Sequence, residues 1–253
     1  MANADLIVIQ GSNMAECHPV GYQWVTEAKA RGAKIIHVDP RFTRTSAVAD
    51  KHITIRVGTD IALLGGVIRH VIENDLYFKD YVLPYTNASF IISDDYEGPE
   101  DLDGLFSGFD EELQGYNNDT WQYVHDPEEP DGIAKDPTLQ HPHSVFQILK
   151  RHYSRYTPEM VEDLCGISQE DFLYLADAFA EHSGRDRTTC MAYALGWTQH
   201  SLGPQFIRTA SILQLLMGNM GRPGGGIMAL RGHATIQGST DIPTLFNLLP
   251  GYL

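Results

Sequence analysis

The sequence has few basic residues, few cysteines and no long apolar run. Eighteen Lys and Arg stand against 33 Asp and Glu in 253 residues, and the formal net charge is −15. This balance leaves no basic surface for a nucleic-acid backbone, so we expect no nucleic-acid partner. No apolar run approaches the roughly 20 residues that a membrane span needs, and the first residues show no signal-peptide pattern.

The three cysteines lie far apart, at positions 17, 165 and 190. Such spacing excludes a disulfide framework and a CxxC metal knuckle, so we expect this chain alone to hold neither an iron–sulfur cluster nor a structural zinc ion. Cys17 and His18 form a Cys-His dipeptide in the segment "GSNMAECHPVG". A thiol beside an imidazole fits two hypotheses, an activated nucleophile or a metal ligand.

Strand-like and helix-like segments alternate along the first third of the chain. The strand-like runs are "ADLIVIQG", "AKIIHVDPR" and "KHITIRV". Between the first two, "PVGYQWVTEAKARG" predicts a helix that opens at Pro19 and stops at Gly32. The residues predicted on its buried face are Val20, Trp24, Val25 and Ala28. The third run precedes an amphipathic helix, "GTDIALLGGVIRHVIEND", whose N-cap region is Thr59 and Asp60.

The middle of the chain, from about 93 to 142, is acidic, rich in Gly and Pro and weakly periodic. We interpret it as a loop insertion on the surface, ordered by its aromatic residues. Regular patterns resume with three helix-like segments, the buried strand "TTCMAYALG" and the helix "PQFIRTASILQLLMGNMG". The next segment, "RPGGGIMALRGHATIQGSTD", is too rich in glycine to predict a regular element.

Alternating strands and helices predict an α/β fold with a doubly wound, mostly parallel, Rossmann-like sheet. We assign residues 1–233 to this domain, with the loop insertion at about 93–142, and residues 234–253 to the start of a crossover into a neighbouring domain. Ligands of such sheets bind at the carboxyl ends of the strands. The loops predicted to lie there span 11–18, 39–46, 57–60, 196–200 and 219–238.

Some side chains in these loops are suited to a nucleotide. Asp39 closes the second strand, where a carboxylate accepts hydrogen bonds from ribose hydroxyls in nucleotide-binding βαβ units. Arg41 is suited to pair with a phosphate, and Asn13 with the helix start near Pro19 would hold another. The turn "GSNMAE" departs from G-x-G-x-x-G, which argues against a standard NAD-type turn. In the alternative hypothesis Asp39 and Asp60 only cap and turn the chain.

The glycine-rich segment contains two further patterns. "GRPGGG" at 221–226 predicts a tight chain reversal. In "RGH", Arg231 and His233 flank a glycine where few other charges occur. Such a pair is able to grip a small carboxylate and to move a proton beside it.

Taken together, these stretches resemble a known family. The chain is similar, over essentially all of its length, to the large subunit of molybdenum- or tungsten-dependent formate dehydrogenases of the bis-pterin-guanine-dinucleotide superfamily. The resemblance rests on "GSNMAECHPVG", "GAKIIHVDPRFTRTSAVAD", "GTDIALL", "YALGWTQH", "QLLMGNMGRPGGG" and "LRGHATIQGSTD". The last three are typical of formate dehydrogenases in particular. The acidic insertion and the RGH form resemble the respiratory, membrane-complex or periplasmic branch.

The resemblance implies a role for each predicted site residue. The cofactor-binding positions are Asn13, Glu16 and Cys17 along one guanine dinucleotide, Asp39 and Arg41 at ribose and phosphate, Gly58, Thr59 and Asp60 at the guanine end, and Gly196, Trp197, Thr198 and Gln199 near the pterin. Arg231 would orient formate, and His233 would be the neighbouring polar residue of the active site. Some relatives carry glutamine at the latter position, so the role of Arg231 is the more secure of the two.

The resemblance also decides between the hypotheses for Cys17. The family's metal ligand is a selenocysteine or cysteine followed by histidine, but that dipeptide lies upstream of the first strand found here. The resemblance therefore implies that Cys17 occupies a position for a small residue that is buried or faces the cofactor. No metal ligand is expected in this chain. We therefore expect a fragment of a longer polypeptide, or a reading frame interrupted upstream, and an isolated chain without activity.

For the intact assembly the resemblance implies oxidation of formate to carbon dioxide. The expected cofactors are two molybdopterin guanine dinucleotides with Mo or W, and a 4Fe-4S cluster in the missing part. The expected partners are formate, the remainder of the catalytic subunit, an iron–sulfur beta subunit and, in membrane complexes, a cytochrome subunit. A periplasmic location is expected from the branch, with a cytoplasmic one as the alternative. Two other functions stay open: a nitrate reductase-like enzyme, or a non-catalytic domain that binds a nucleotide or a partner chain.

Overall fold

The computed structural model describes residues 1–232, and a parallel sheet of five strands lies at its centre. The order across the sheet is β3-β2-β1-β6-β7, with every neighbouring pair parallel. The strands are β1 (Leu6–Gln10), β2 (Lys34–Val38), β3 (Lys51–Ile53), β6 (Thr189–Tyr193) and β7 (Gly226–Ala229). The prediction of a doubly wound, mostly parallel α/β sheet is confirmed.

Helices cover both faces of this sheet. Within the described residues they are α1 (Met14–Cys17), α2 (Pro19–Ala30), α3 (Arg44–Val48), α4 (Asp60–Glu73), α5 (Lys79–Tyr85), α6 (Val145–Tyr153), α7 (Pro158–Cys165), α8 (Gln169–Glu181), α9 (Leu195–Thr198) and α10 (Gly203–Leu216). Alternate residues of β1 point to opposite layers: Ile7 and Ile9 pack with α1 and α2, whereas Leu6 and Val8 pack with the larger group that includes α4, α8 and α10. None of these helices is long and apolar enough to cross a membrane.

The helix α2 begins at Pro19 as predicted, and Gly32, with a φ of +101°, follows its last turn. The predicted buried face is half wrong. Val25 and Ala28 are buried, but Val20 is 76% exposed and Trp24 is 49% exposed. The helix turns Tyr22 toward the sheet instead, because its ring packs into the same cluster as Val25. The buried face therefore includes Tyr22, which the prediction did not name, in place of Val20 and Trp24.

Two predicted strands differ from the structure. The third is shorter than "KHITIRV", because the chain leaves the sheet after Ile53 to meet the end of α7. The Arg56 amide donates to the carbonyl of Cys165 at 2.8 Å, and its guanidinium donates to two more carbonyls of that helix end. In contrast, the glycine-rich segment does contain a regular element. β7 pairs with β6 because the glycines at 221–225 form the reversal before it.

The insertion between α5 and α6 contains the short antiparallel pair β4 (Phe109–Asp110) and β5 (Gly115–Tyr116), followed by a 3-10 helix (Asp119–Trp121). Aromatic rings order it, as predicted. Phe106, Tyr116 and Trp121 lie with ring centroids 5.5 to 6.2 Å apart. Single bridges such as Ile91 with Ser144 join its base to the start of α6. The insertion therefore packs as a structured lobe on the domain.

The end of the insertion depends on one carboxylate. Asp136 accepts hydrogen bonds from the Thr138 amide and hydroxyl and from the amides of Gln140 and His141, at 2.5 to 2.8 Å. The Thr138 hydroxyl and these amides lower the pKa of Asp136 to about 2. Because the pKa is depressed in the folded state, the stabilisation is complete above the ordinary value near 3.8 and is lost as the pH falls from about 4 to about 2.

We predict that Asp136→Asn lowers the free energy of unfolding at pH 7 by about 1–3 kcal/mol, because amide donors lose a charged acceptor. Urea denaturation at pH 7 and at pH 3 measures the difference from wild type, which should shrink at the lower pH. Asp95→Asn, at an exposed position of the same insertion, is the control and should change little at either pH. A difference that is equal at both pH values would contradict the role of the carboxylate.

Candidate functional site

The carboxyl ends of the strands form the edge where most predicted site residues lie. The chain runs from β1 to β2 and β3 on one side and places β6 and β7 on the other. The strand order therefore reverses between β1 and β6, and open parallel sheets bind ligands at such a switch point. The segments that emerge there include 11–18 after β1, 39–43 after β2 and 194–202 after β6.

Two glycines bring the segments after β1 and β6 into backbone contact. The Gly196 amide donates to the Gly11 carbonyl at 3.0 Å. A Cβ on Gly196 would lie 2.5 Å from that carbonyl oxygen, and Gly11 has a φ of +67°. Trp197 follows at once, is fully buried, and stacks on Tyr193 with ring centroids 5.0 Å apart. Only residues without a side chain allow this approach.

Asp60 lies beneath this contact and joins three elements. Its Oδ1 accepts from the Gln10 side-chain amide at 2.7 Å and from the Trp197 indole N–H at 2.9 Å. Burial raises the pKa of this carboxyl, although both hydrogen bonds favour the ionised form. The partners of Asp60 lie on β1 and α9, so the side chain does more than cap its helix. The contact of Asp60 with the guanine end of a cofactor stays a prediction.

The Gln10 amide group leaves one atom unsatisfied. Its Oε1 is buried and has no hydrogen-bond partner among residues 1–232, whereas its Nε2 donates to Asp60. A buried acceptor of this kind costs free energy unless a water or a ligand donates to it. The last residue of β1 therefore carries a buried acceptor that the described part of the chain leaves unsatisfied.

The polar side chains of the predicted loop 11–18 lie on the short helix α1 or directly before it, at its N-cap residue Asn13. The Asn13 Oδ1 accepts from the Thr45 hydroxyl at 3.1 Å, and its amide donates to Glu16. Glu16 lies 3.2 Å from the Arg44 guanidinium. Cys17 is exposed, which excludes a buried position for its thiol. The loop is thus tied to α3 and leaves Cys17 free to face a ligand.

Asp39 and Arg41 lie together at the end of β2. The Asp39 Oδ1 accepts the Arg41 amide at 2.9 Å, so the carboxylate shapes the turn in which both residues lie. Its other oxygen lies 3.8 Å from His37 Nε2. The Arg41 side chain is exposed. The turn and the predicted binding role are compatible, because a carboxylate oxygen accepts more than one hydrogen bond.

The remaining predicted cofactor positions lie on two turns of the same edge. Gly58 precedes α4 with a φ of +86° and open space where a Cβ would be, and the Thr59 hydroxyl donates to the Arg56 carbonyl at 2.7 Å. Thr198 and Gln199 are exposed at the end of α9. Within residues 1–232, Gly58 and Gly196 are exposed as well, whereas Thr59 is only partly exposed.

A cavity of about 430 Å³ opens between the start of α2 and the end of β7. Its lining includes Met14, His18, Gly21 and Arg231. The first amides of α2 are unpaired within that helix and give its start a partial positive charge, which favours an anion. Arg231 adds a full positive charge on the opposite wall, whereas His233 lies outside the described residues. A cavity therefore lies beside Pro19, and the phosphate predicted there stays a prediction.

One predicted loop is divided by the structure. Residues 219–225 precede β7 and lie at the opposite edge, where a Cβ on Gly224 would meet the Asn3 carbonyl at 2.4 Å. The prediction that 219–238 faces the ligand is therefore wrong for 219–225. Sequence reasoning placed the loop by its glycines and had no strand from which to tell its two ends apart. The tight reversal itself is confirmed, because the Gly225 amide donates to the Arg222 carbonyl.

Sequence reasoning missed two residues at this edge, His37 and Tyr193, whereas His18 was considered only as the partner of Cys17. Both residues lie in segments that were predicted correctly as strands. The sequence therefore offered only one signal for them, their position at or next to the last residue of a strand. A buried histidine within an apolar strand was the clearer of the two cases. Within residues 1–232, no three His, Cys, Asp or Glu side chains converge in a way that could hold a metal ion.

Comparison with known proteins identifies the family. The family model described as molybdopterin oxidoreductase matches residues 1–246. The chain belongs to the molybdopterin oxidoreductase family.

Its curated relatives carry more specific names. The chain is 52% identical over 253 residues to the formate dehydrogenase-O major subunit of Escherichia coli, with 99% of this chain and 24% of the relative covered. It is 48% identical over 250 residues to the formate dehydrogenase 2 subunit alpha (cytochrome c-553) of Nitratidesulfovibrio vulgaris, with the same coverage of each. The chain therefore spans about a quarter of the length of these molybdopterin oxidoreductase relatives.

A solved structure supports the fold. Acetylene hydratase from Pelobacter acetylenicus superposes with a TM-score of 0.57 at 20% identity, over 86% of this chain and 22% of that one. At such an identity the likeness shows the α/β fold alone. The resemblance to formate dehydrogenase large subunits rests on the sequence relatives.

We predict that Gly196→Ala destabilises the domain by about 1–3 kcal/mol, because the new Cβ meets the Gly11 backbone and forces the two strand ends apart. Thermal unfolding of the 253-residue chain measures this, and a fall of about 2–4 °C per kcal/mol is expected for a domain of this size. Gly21→Ala is the matched control, since its Cβ would contact only the flexible end of Met14 at 3.4 Å. Equal unfolding temperatures for Gly196→Ala and wild type would exclude the close approach.

Proposed function

We propose that this chain is the part of a formate dehydrogenase catalytic subunit that binds the nucleotide ends of a molybdopterin guanine dinucleotide cofactor. The observation that carries the proposal is its identity to formate dehydrogenase major subunits, 52% over 99% of the chain for one and 51% for a second. A quarter of the relative's length is covered, so the activity would belong to the complete assembly.

The residues at the carboxyl edge fit such a group. Among the residues that the structure describes, none fills the space beside Gly58 at the start of α4, and none donates to the buried Gln10 Oε1. The cavity between α2 and β7 combines a helix start with Arg231, which suits a phosphate or a carboxylate. The chemistry available at this edge is therefore hydrogen bonding to sugar and base, and charge pairing with anions.

The predicted positions divide by what each side chain offers. Asp39 would accept from ribose hydroxyls, and Arg41 would pair with a phosphate. Gly58, Thr59 and Asp60 would border a guanine end. Asn13, Glu16 and Cys17 would line a second stretch of dinucleotide. The pterin would lie against the turn formed by Gly196, Trp197, Thr198 and Gln199.

The reaction proposed for the assembly is the oxidation of formate to carbon dioxide, with release of two electrons and one proton. When bound, the metal and pterins would accept the two electrons and pass them to iron–sulfur clusters. This chain would orient the substrate. The planar guanidinium of Arg231 would hold the formate carboxylate, and His233 would position it or accept the proton.

The finer features are part of the same proposal. They comprise two guanine dinucleotides per site, molybdenum or tungsten as the metal, and a 4Fe-4S cluster in the remainder of the subunit. An iron–sulfur beta subunit and a membrane cytochrome subunit would be partners, and the assembly would be periplasmic. A nitrate reductase-like activity is the less favoured alternative, because the relatives of about 50% identity are formate dehydrogenases.

We predict that Arg231→Lys in the assembled enzyme lowers formate-dependent dye reduction by about 10²-fold or more, with metal and pterin content unchanged. A lysine keeps the charge but loses the planar fork that orients a carboxylate in two hydrogen bonds. Turnover and cofactor content are measured on the same preparation. Near wild-type turnover would remove Arg231 from the substrate site.

Arg222→Lys is the matched control for this substitution. Arg222 lies on the same glycine-rich segment but at the opposite edge, where its guanidinium donates to the carbonyls of Gly184, Arg185 and Gly218. It should retain turnover. If both variants lose activity alike, the effect of Arg231→Lys would reflect folding and not substrate binding.

We predict that Asp39→Ala weakens binding of guanosine diphosphate to the 253-residue chain about tenfold, because a charged acceptor for the ribose hydroxyls is lost. Isothermal titration calorimetry measures the dissociation constant. In the assembled enzyme the same variant should lower pterin and metal content. Asp177→Ala, on α8 where its carboxylate meets His70, is the control and should bind like wild type. Unchanged affinity of Asp39→Ala would contradict the nucleotide assignment.

A further inference from the structure

His37 is a fully buried polar residue within the otherwise apolar strand β2. Both ring nitrogens have partners on other segments. Nε2 lies 3.1 Å from the Ser12 carbonyl oxygen, in the loop after β1. Nδ1 lies 2.8 Å from the Ser46 hydroxyl, on α3. The imidazole thus joins two segments of the carboxyl edge that are not adjacent in sequence.

These partners fix the tautomer of the ring. A carbonyl oxygen only accepts, so Nε2 carries the proton and donates to Ser12. Burial lowers the pKa of His37, although the nearby Asp39 carboxylate acts in the opposite direction. The neutral ring therefore accepts at Nδ1 from the Ser46 hydroxyl. The Ser46 oxygen in turn accepts the Thr43 amide at 2.8 Å, which completes a directed chain of hydrogen bonds.

The segments in this chain are those that present the polar groups of the edge. Ser12 precedes Asn13, whose side chain is held by Thr45 next to Ser46. Thr43 and Ser46 form the capping box that starts α3. On the other side of the ring, Asp39 Oδ2 lies 3.8 Å from Nε2.

Within the described part of the chain, the titratable groups that act on His37 are Asp39 and His52. Besides Asp39, the ring of His52 on β3 lies with its centroid 5.6 Å from that of His37. The His52 Nε2 is 3.0 Å from the Asp39 carbonyl oxygen, so it bonds to the backbone of the same turn. His37 therefore lies at the centre of the polar contacts that fix Asp39 and the loop around Asn13.

We propose that His37 is a positioning residue for nucleotide binding: by bridging Ser12 and Ser46 it holds Asn13 and Asp39 in the one arrangement that accepts a guanosine diphosphate group. This inference rests on the proposed function, because it concerns the same edge. His37 touches no ligand itself and acts through the two loops. An apolar residue of similar size would fill the strand but leave the Ser12 carbonyl without the His37 donor and the Ser46 hydroxyl proton without the His37 acceptor.

The test uses calorimetric titration of guanosine diphosphate into the 253-residue chain and its variants. His37→Leu should raise the dissociation constant about tenfold, because both bridging hydrogen bonds are lost. His37→Gln should bind within about threefold of wild type, since one amide both donates and accepts as the neutral ring does. Ser46→Ala, which removes the Nδ1 partner together with the acceptor of the Thr43 amide, should weaken binding in the same direction.

Gln214→Leu is the matched control for the loss of a buried polar side chain. Gln214 is fully buried, and its amide donates to the carbonyls of Thr189 and Gly226 at the starts of β6 and β7, on the far edge of the sheet. This variant should lower the unfolding temperature as His37→Leu does. Its affinity for guanosine diphosphate should equal that of wild type.

The outcomes separate the inference from the proposed function. A wild-type chain that fails to bind guanosine diphosphate overturns the nucleotide site, and the role of His37 with it. If wild type binds and both His37→Leu and Ser46→Ala bind with the same affinity as wild type, only the positioning role is overturned. A loss of affinity in Gln214→Leu equal to that in His37→Leu also overturns the positioning role alone. If His37→Leu does not fold, the other two variants decide. Weakened binding by Ser46→Ala together with near wild-type binding by His37→Gln supports the positioning role. Any other result for these two variants overturns it.

Discussion

The close approach of the chain at Gly11 and Gly196 determines the shape of the whole carboxyl edge. Two strand-end segments meet there through one backbone hydrogen bond of 3.0 Å, with no side chain between them. Because the backbones touch, Trp197 is directed under the contact and its indole reaches Asp60 on a different helix. The position of α4 is thus coupled to the crossing point of the sheet. A larger residue at either glycine would separate all three elements.

This coupling has an electrostatic consequence. The chain is strongly acidic, yet the carboxylates at this edge are engaged by donors of the chain itself. Asp60 accepts from Gln10 and Trp197, whereas Glu16 lies beside Arg44. Hydrogen bonding and pairing of this kind reduce the repulsion that an anionic ligand would otherwise meet. With Arg231 in the adjoining cavity, the edge suits a phosphate-bearing group in spite of the net charge of −15.

The sequence was informative where a local pattern determines structure. Alternation of apolar strands and amphipathic helices predicted the sheet, and the place of Asp39 at the carboxyl end of β2 was predicted correctly, whereas its binding role stays a prediction. The failures have a common cause. The buried face of α2 depends on Tyr22, the orientation of 219–225 depends on which strand it precedes, and the partners of Asp60 are up to 137 residues away. Contacts over such separations leave no periodic trace in a single sequence.

The two edges of the sheet use buried polar groups differently. At the amino edge, Gln214 donates to backbone carbonyls at the starts of two strands and accepts from Asn219, so its network stabilises regular structure. At the carboxyl edge, His37 and the Gln10–Asp60 pair bind to loops and helix starts instead. Loops that must remain open to a ligand cannot be fixed by apolar burial, because their outer surface has to stay accessible. Hydrogen bonds from buried side chains can fix such loops instead. Burying these polar groups costs desolvation free energy, which the hydrogen bonds offset only when they are fully formed.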